Sequence, residues 1–515
     1  MTVGENRAAW GPLLDTLARR QAAARVMGGP EKLARYRATG RVDARARVQA
    51  LLDTDTFVEL GALAGDGTAS ADKPVPADAF VAGSGLVDGR PVLVGSEDFT
   101  VAGGSIGTAA ATKRARIAAL AQQERVPLVM MLEGAGHRAT NALHPHRPAP
   151  NDLQALSELA GLVPTVAVVT GPSAGHGALA APMSDYVVMV DGDASLFTAG
   201  PPLVAASLGE QVSKEELGGP AVHAVASGLA HAVAADVEEA LELTRTYLSY
   251  FPTNAWSRTP DAGPAEGNDD VGERVLEELL DLVPPNPRRP YDMHAVLAEL
   301  VDEDSLFEVQ PQHGPSMITA LARLGGTAVA IVANQPLVLA GALDVAAASK
   351  AARFIECTSA FHLPLVQLAD NPGVLAGSAS ERAGILRAAA RMFAAQHRAG
   401  VPKLHVTVRK AFGFGSSVMG QNAFDAQTVS LAFPDAMLGG IPAAVGGATA
   451  KEDAGTQQAL VDNEAAGPWR LASTVTYDDV IDPRQLRNAL LAGLRLAQGR
   501  RSAPVGPVQR TGYLP

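Results

Sequence analysis

Cysteine, long apolar runs and one common phosphate-binding dipeptide are scarce or missing in this chain. A single cysteine, Cys357, among 515 residues excludes an intramolecular disulfide and every zinc site built on two or more thiolates. No apolar run reaches the ~18 residues that span a bilayer, and the first segment lacks the pattern of a signal peptide. The dipeptide Gly-Lys is absent, which excludes a Walker-type phosphate loop. We therefore expect a cytoplasmic protein that uses no metal and for which ATP is not the ligand.

Basic residues are outnumbered as well. Lys and Arg total 42 against 54 Asp and Glu, which gives a net charge of −12. An acidic surface argues against nucleic acid or a membrane as the partner. Apolar residues make up 47% of the chain and charged residues 19%, which is typical of globular proteins, and the length predicts about two to four domains.

Segments with helical periodicity alternate with apolar β-like runs and Gly-rich turns, which predicts an α/β fold. The predicted helices run from Ala8 to about Leu52 with a break at Gly28–Pro30, from Thr108 to Glu124, near Val237–Tyr250, and over Pro483–Gln498.

One stretch between the two halves has a different composition. From about Pro252 the sequence becomes rich in Pro, Gly, Asn and charge, which indicates a linker. We predict domains at 1–255 and 291–515, with a linker at 256–290 that encloses one short helix over 271–282.

The two halves repeat each other at a constant spacing. Lys113 and Lys350 are 237 positions apart (350 − 113). The same spacing joins Arg116 to Arg353, Pro127 to Pro364, Glu133 to Asp370, and Gly136 to Gly373. One residue more joins Pro164, Gly175 and Gly177 to Pro402, Gly413 and Gly415. Identical or conservative pairs in this order predict a duplicated domain.

Two strand ends in each half run into turns of small residues. These turns lie at Glu133–Gly136, Gly171–Gly177, Asp370–Gly373 and Ala411–Gly415. Missing side chains let a ligand reach the main chain, and a strand that passes into a helix leaves N–H groups free. Two converging N–H groups make an oxyanion hole, which can hold an enolate or a tetrahedral oxyanion.

One of these turns permits another interpretation. The residues Gly171–Gly175 read G-P-S-A-G, the nucleophile elbow of serine hydrolases, with Ser173 as the nucleophile. The matching position in the second half is Ala411, and no downstream histidine stands out as the base. A serine hydrolase is therefore the rival hypothesis.

A phosphate-bearing ligand of so acidic a protein needs a local basic patch. Lys113, Arg114 and Arg116 are the candidates in the first half, because Lys350 and Arg353 repeat the spacing in the second. The alternative is an ordinary solvated helix face.

Taken in order, eight motifs resemble those of the carboxyltransferase (β) subunits of biotin-dependent acyl-CoA carboxylases, such as propionyl-, methylcrotonyl- and geranyl-CoA carboxylases. In the first half they are RRQAA with MGGP (19–30), EDFTVAGGS (97–105), GPSAGHG (171–177) and KEELGG (214–219). In the second half they are PRRPYDM (287–293), IVANQP (331–336), DNPG (370–373) and RKAFG (409–413). The resemblance spans about residues 10 to 500.

The resemblance implies two duplicated ClpP/crotonase-like domains, each a β-β-α spiral, with acyl-CoA bound by the first and carboxybiotin by the second. Biotin arrives on a carrier domain of a separate α subunit that also holds the biotin carboxylase. The resemblance further implies a homo-oligomer, commonly a hexamer, whose active site lies between the first domain of one subunit and the second domain of another.

The site residues implied by the resemblance lie at the glycine turns. The acyl-side oxyanion hole falls on Gly175 and His176, and the biotin-side hole on Phe414 and Gly415. Further substrate contacts are expected at Ala135, Gly136, His137, Gly177, Gly373 and Ser417, with Lys113 and Arg116 as candidates for the phosphates. Backbone amides do the work in this scheme, and the biotin nitrogen takes the α-proton.

The chain departs from the family at several of these positions. His176 and Phe414 stand where glycine is usual, and Ser417 stands where many acetyl- or propionyl-preferring members have aspartate. The turn that ends in His137 also differs from the common Asp-Ser-Gly-Gly-Ala. These departures predict an acyl group other than acetyl or propionyl. The alternatives are an acyl-CoA decarboxylase and a homologue that binds CoA esters without biotin chemistry.

Overall fold

The chain forms two compact units in a computed structural model that describes residues 3–65, 75–143, 151–259 and 271–508. The first unit ends at Ser249 and the second begins at Tyr250, a few residues before the predicted domain end at 255. Residues 260–270 of the predicted linker lie outside the described residues. No described helix is long and apolar enough to cross a bilayer.

The first unit is built on a seven-stranded sheet with strand order β1-β2-β3-β4-β5-β7-β9, beside a two-stranded sheet of β6 and β8. Its strands are β1 (Val58–Glu59), β2 (Phe80–Val87), β3 (Arg90–Glu97), β4 (Leu128–Leu132), β5 (Thr165–Val169), β6 (Pro172–Ala174), β7 (Tyr186–Val190), β8 (Ser195–Phe197) and β9 (Ala232–Ala234). Its helices are α1 (Val3–Arg25), α2 (Pro30–Arg37), α3 (Ala44–Leu51), α4 (Thr108–Glu124), α5 (Asp152–Ser157), α6 (Pro201–Leu208), α7 (Lys214–Gly218) and α8 (Val237–Ser249).

The second unit contains an eight-stranded sheet with order β10-β11-β12-β13-β14-β15-β17, in which β16 also pairs with β14. Its strands are β10 (Phe307–Glu308), β11 (Met317–Leu324), β12 (Thr327–Asn334), β13 (Leu365–Asn371), β14 (Lys403–Phe412), β15 (Val429–Ala432), β16 (Met437–Gly439) and β17 (Asp479–Val480). Its helices are α9 (Leu279–Leu282), α10 (Met293–Leu300), α11 (Val345–Ala360), α12 (Ser378–Ala383), α13 (Ile385–Arg398), α14 (Gly413–Val418), α15 (Ala443–Thr449), α16 (Ala454–Ala465), α17 (Trp469–Ala472), α18 (Leu486–Leu496) and α19 (Gln498–Ser502).

The parallel strands of the first sheet are buried along their whole length. Strands β4, β5 and β7 read LVMML, TVAVV and YVVMV, and every residue in them is buried. Continuous apolar runs of this kind are typical of parallel strands that are covered on both faces. The predicted α/β class is therefore confirmed as a mixed fold with parallel sheets.

The same pairings recur in both sheets at the spacing found in the sequence. Antiparallel strands β2 and β3 match β11 and β12, and parallel β4 matches β13. An isolated parallel bridge joins Ile106 to His137 in the first unit and Leu343 to Val374 in the second. Each of these features is displaced by 237 positions (343 − 106).

Most predicted helices have the expected positions, whereas the one in the linker is shorter. Helix α4 spans Thr108–Glu124 as predicted, and the N-terminal helical stretch forms α1, α2 and α3. The helix expected over 271–282 is limited to Leu279–Leu282, because the backbone N–H of Arg274 donates to the side chain of Asn488 at 3.0 Å. Leu276 and Leu279 are buried in the apolar core of the second unit, so this part of the predicted linker is packed.

Candidate active site

Three glycine turns of the first unit meet at the carboxyl ends of β3, β4 and β5. A Cβ atom on Gly104 would lie 2.3 Å from the carbonyl oxygen of Glu133, and one on Gly136 would lie 2.7 Å from that of Ala174. Both glycines have positive φ values, 65° and 75°. Because only glycine tolerates both conditions without strain, the sequence itself brings these turns into contact.

Some backbone N–H groups at these turns already donate a hydrogen bond within the protein, and others do not. The N–H of Gly175 donates to the carbonyl of Phe197 at 3.0 Å, so the expected role of Gly175 as an oxyanion donor is not supported. Among the described residues, the amides of His176 and Gly136 have no hydrogen-bond partner. Gly136 faces the other turn, since its added Cβ would lie 3.8 Å from the Gly175 Cα.

A buried chain of charged side chains lies beneath these turns. His176 Nε2 is 2.5 Å from Asp152 Oδ1, and Arg114 Nε is 2.6 Å from Asp152 Oδ2. Arg114 Nη1 reaches Glu97 Oε1 at 2.7 Å, and Glu97 Oε2 accepts the N–H of Glu133 at 2.7 Å. The carboxylate of Glu97 also borders the glycine turn, because a Cβ on Gly177 would lie 3.1 Å from its Oε1.

The Glu133 carboxylate binds side chains from the N-terminal segment of the first unit. Arg47 Nη1 lies 2.9 Å from Glu133 Oε2, Arg41 Nη1 lies 3.1 Å from Oε1, and the Tyr36 hydroxyl donates to Oε2. Burial raises the pKa of the Glu133 carboxyl, and the two guanidinium groups oppose that rise. Paired in this way, a buried carboxylate fixes the turn that follows β4.

Two imidazoles meet above the buried chain. The ring centroids of His137 and His176 are 4.6 Å apart and their planes are inclined by 75°. Burial and the neighbouring His176 lower the pKa of His137. Burial alone would raise the pKa of Asp152, but its hydrogen bond from His176 and the charge of Arg114 lower it to about 2. Asp152 is therefore ionised at neutral pH and accepts a hydrogen bond from the N–H at His176 Nε2.

The geometry around Ser173 does not fit a nucleophile. Ser173 lies in β6, is fully buried, and its Oγ has no hydrogen-bond partner within the described ranges. A nucleophile elbow needs an exposed hydroxyl with a base in contact. The downstream histidines of the first unit bond elsewhere, since His223 Nε2 contacts the Leu196 carbonyl and His231 Nδ1 accepts the Val187 N–H.

The basic helix face is mostly internal. Lys113 Nζ donates to the carbonyls of Ala77, at 3.2 Å, and Phe80, and burial lowers its pKa to about 8. Lys350 is buried in the same way, donating to Gln310 at 3.1 Å. The expected phosphate contact at Lys113 is therefore not supported, because its ammonium is already used inside the unit, whereas Arg116 is exposed.

The second unit repeats the glycine turns with different side chains. A Cβ on Gly341 would lie 2.2 Å from the Asp370 carbonyl oxygen, and one on Gly415 would lie 2.2 Å from Asn371 Oδ1. The N–H of Gly373 is bound to Asn371 Oδ1 at 3.0 Å. Phe414, at the position of His176, is 47% exposed. The turn is thus closely packed on its inner side and apolar on its outer side.

Two predicted positions of the second unit are placed by neighbouring side chains. The ring of Phe414 packs against Phe393 with centroids 5.5 Å apart. Ser417 is half-buried in α14, and its carbonyl accepts from Gln396 Nε2 at 3.2 Å.

Arg409 and Asp370 form an ion pair that the sequence hypothesis did not include. Arg409 Nε lies 2.8 Å from Asp370 Oδ2, and its guanidinium stacks on Tyr291 at 4.5 Å. Nη1 of Arg409 also donates to the carbonyls of Pro284 and Arg289. The motifs PRRPYDM and RKAFG are therefore in contact. Their separation in the sequence does not indicate this contact.

Known proteins resemble this chain over nearly its whole length. The carboxyl transferase domain family matches residues 35–507. The carboxyltransferase subunit of propionyl-CoA carboxylase from Haloferax mediterranei is 34% identical, covering 98% of this chain and 99% of that protein. The α subunit of methylmalonyl-CoA decarboxylase from Veillonella parvula is 33% identical, covering 95% and 96%.

A solved structure agrees with these relatives. The transcarboxylase 12S hexamer, with methylmalonyl-coenzyme A and methylmalonic acid bound, superposes with a TM-score of 0.88 at 31% identity, covering 98% of each chain. The resemblance seen in the motifs is confirmed over nearly the whole length. The chain belongs to the carboxyl transferase family, which includes the carboxyltransferase subunits of biotin-dependent acyl-CoA carboxylases.

Proposed function

We propose that this chain transfers CO2 from carboxybiotin to the α-carbon of an acyl-CoA, with the thioester held by the first unit and the biotin by the second. The observation that carries the proposal is the pair of glycine-turn frameworks, one in each unit, with matching close contacts at Gly104 and Gly341. We infer that both units are crotonase-like and arose by duplication, which the shared 237-residue displacement of their bridges supports.

On the acyl side, the amides of His176 and Gly136 receive the enolate oxygen of the thioester. They lie on two turns that touch, and no described residue occupies either N–H. Fixed donors lower the barrier because they need no reorganisation when charge develops on the oxygen. Ala135, His137 and Gly177 border this position.

On the biotin side, the amides of Phe414 and Gly415 hold the ureido oxygen. Packing against Asn371 and Gly373 fixes the position of Gly415, and neither of these two N–H groups has a backbone partner among the described residues. Carboxybiotin would supply CO2 and the nitrogen that accepts the α-proton. Gly373 and Ser417 border the same turn.

The partners follow from the same assignment. Biotin comes on a carrier domain of a separate α subunit, together with its biotin carboxylase, and the chain assembles as a hexamer. The hexamer assembly of transcarboxylase 12S supports this proposal. Light scattering tests it: a mass of six chains is expected, and a monomer at micromolar concentration would contradict it.

A decarboxylase is the second candidate function. The similarity to a methylmalonyl-CoA decarboxylase α subunit favours it, because the same turns can hold the enolate that loss of CO2 leaves. The substrate class is then an α-carboxylated acyl-CoA in place of an acyl-CoA.

One assay separates these functions. The protein is mixed with acyl-CoAs and α-carboxyacyl-CoAs, with and without a biotin carboxylase and carrier partner, ATP and bicarbonate, and product masses are followed. We expect carboxylated product only with the partner. Loss of CO2 without the partner would support the decarboxylase, and binding without turnover would contradict both activities.

A matched pair of variants tests the acyl-side donor. His176→Pro removes the ring and the amide, whereas His176→Gly removes only the ring. We expect the first to be at least ~100-fold slower than the second, as for loss of one oxyanion donor. Equal rates in two correctly folded variants would contradict the assignment of this amide.

A further inference from the structure

The acyl-side turn carries an imidazole that is anchored from inside the first unit. His176 Nε2 lies 2.5 Å from Asp152, and Asp152 lies 2.6 Å from Arg114. The side chains of Asp152 and Arg114 are 3% and 1% exposed, against 20% for His176. A partly exposed ring with a buried anchor has a fixed orientation at the edge of the candidate site.

The glycine framework does not require these charges. By position, Glu97, Arg114 and His176 correspond to Asn334, Ala351 and Phe414 in the second unit. The second unit keeps the close contact at its turn all the same, and the N–H of Asp370 donates to Asn334 Oδ1 at 3.1 Å, as that of Glu133 does to Glu97. The charged chain therefore serves something other than the shape of the turn.

The contact with Asp152 also selects the tautomer of the ring. An ionised carboxylate only accepts hydrogen bonds, so Nε2 carries the proton and the neutral ring keeps a lone pair on Nδ1. No residue in the described ranges bonds to Nδ1. A histidine oriented in this way by a carboxylate is the arrangement that enzymes use for a general base.

A second imidazole packs against the His176 ring. His137 packs edge to face against it at 4.6 Å and has a lowered pKa, so it stays neutral at neutral pH. Asp152 contacts the His176 ring through Nε2, while Arg114 is shared between Asp152 and Glu97.

We propose that His176, oriented by Asp152, removes and returns a proton at the α-carbon of an acyl thioester without the help of biotin. This rests on the proposed function, which places the thioester at the turn of Gly136 and His176. In the forward step the α C–H bond breaks, the proton moves to Nδ1, and the electron pair moves onto the thioester oxygen. In the reverse step the imidazolium returns a proton that has exchanged with solvent.

The test is deuterium incorporation at the α-carbon in D2O, with no biotin partner and no ATP. The full chain is incubated with a panel that includes acetyl-CoA and propionyl-CoA, and α-deuteration is followed by mass spectrometry. Calorimetry with the same esters reports binding separately. His176→Gly keeps the amide and removes the base, and Asp152→Asn removes the anchor. His294→Asn is the control, because His294 also pairs with carboxylates, at 2.9 Å, in the second unit.

We expect the wild-type chain and His294→Asn to deuterate a bound ester at similar rates. His176→Gly should lose at least ~100-fold in exchange rate, which is typical of a general base, and added imidazole should restore part of it. Asp152→Asn should also be slower.

Three results would overturn the proposal. The first is binding of an ester without deuteration by the wild-type chain, and the second is wild-type exchange in folded His176→Gly. The third is that no ester binds, which would overturn the acyl-CoA site as well and so marks failure of the proposed function itself.

Discussion

The two units of this chain share a main-chain framework and differ in the charges beneath it. In the first unit, His176, Asp152, Arg114 and Glu97 form a continuous buried chain that ends at the glycine turns. In the second, the turns lie over Asn334 and carry the exposed ring of Phe414. Backbone geometry and ionisable chemistry are therefore separable here, because the same close contacts form with either set of side chains.

The largest expected effect comes from the shared framework. Gly104→Ala and Gly341→Ala each force a Cβ to within 2.3 Å or 2.2 Å of a carbonyl oxygen at positive φ. Overpacking and backbone strain together should cost about 4 kcal/mol or more in either unit. Gly103→Ala is the control, since its Cβ would meet nothing within 4 Å and it pays only about 1–2 kcal/mol for positive φ. Unfolding monitored by hydrogen exchange measures the loss of stability in both units. Equal losses for Gly103→Ala and Gly104→Ala would contradict the role given to the close contact at Gly104.

Removal of one charge from the first unit should have the next largest effect. Arg114→Ala leaves the Glu97 and Asp152 carboxylates buried without their main partner and should cost about 3 kcal/mol. Adding Glu97→Asn makes both positions resemble Asn334 and Ala351 of the second unit. The double variant should be less destabilised than the sum of the two single variants in denaturant unfolding. Strict additivity would contradict a coupled chain.

Acid should weaken the first unit through Asp152. Its folded-state pKa of about 2 lies below the ordinary 3.8, so its contribution is present above about pH 4 and is lost as the pH falls towards 2. The shift corresponds to about 2 kcal/mol. The pKa shift of Asp435 in the second unit has the opposite sign, because burial raises that pKa to about 6. Ionisation of Asp435 therefore lowers the stability of the fold as the pH rises from about 4 to 6. Asp152→Asn should flatten the loss of stability between pH 4 and 2, and an unchanged profile would contradict this account.

The smallest effect is expected at Ser173. Ser173→Ala introduces the residue that the second unit has at Ala411, and the hydroxyl it removes has no hydrogen-bond partner in the described structure. Stability should change by less than about 0.5 kcal/mol and carboxyl transfer by less than about twofold. Loss of all activity in the folded variant would revive the serine hydrolase.

The sequence predicts those features that depend on local rules. Helix α4 could be placed because an alanine-rich periodic segment lies between Gly107 and Arg125, which ends it in a left-handed conformation. The glycine turns could be placed because a close contact at positive φ leaves glycine as the residue that fits.

Long-range packing set the features that the sequence did not predict. The chain from Glu97 to His176 joins side chains from four separate segments, so no spacing indicates it. Lys113 was assigned to the surface by its charge, but the carbonyls of Ala77 and Phe80 hold it inside. No sequence signature reveals that this side chain turns inward.

Hydrogen–deuterium exchange of the full chain tests most directly whether the two units divide the substrates between them. Acyl-CoA and free biotin are added separately, and the peptides that contain each glycine turn are followed by mass spectrometry. We predict that acyl-CoA slows exchange at residues 134–137 and 175–177, and that biotin slows it at 371–374 and 413–417. Protection of the second unit's turns by acyl-CoA, with none in the first, would contradict it.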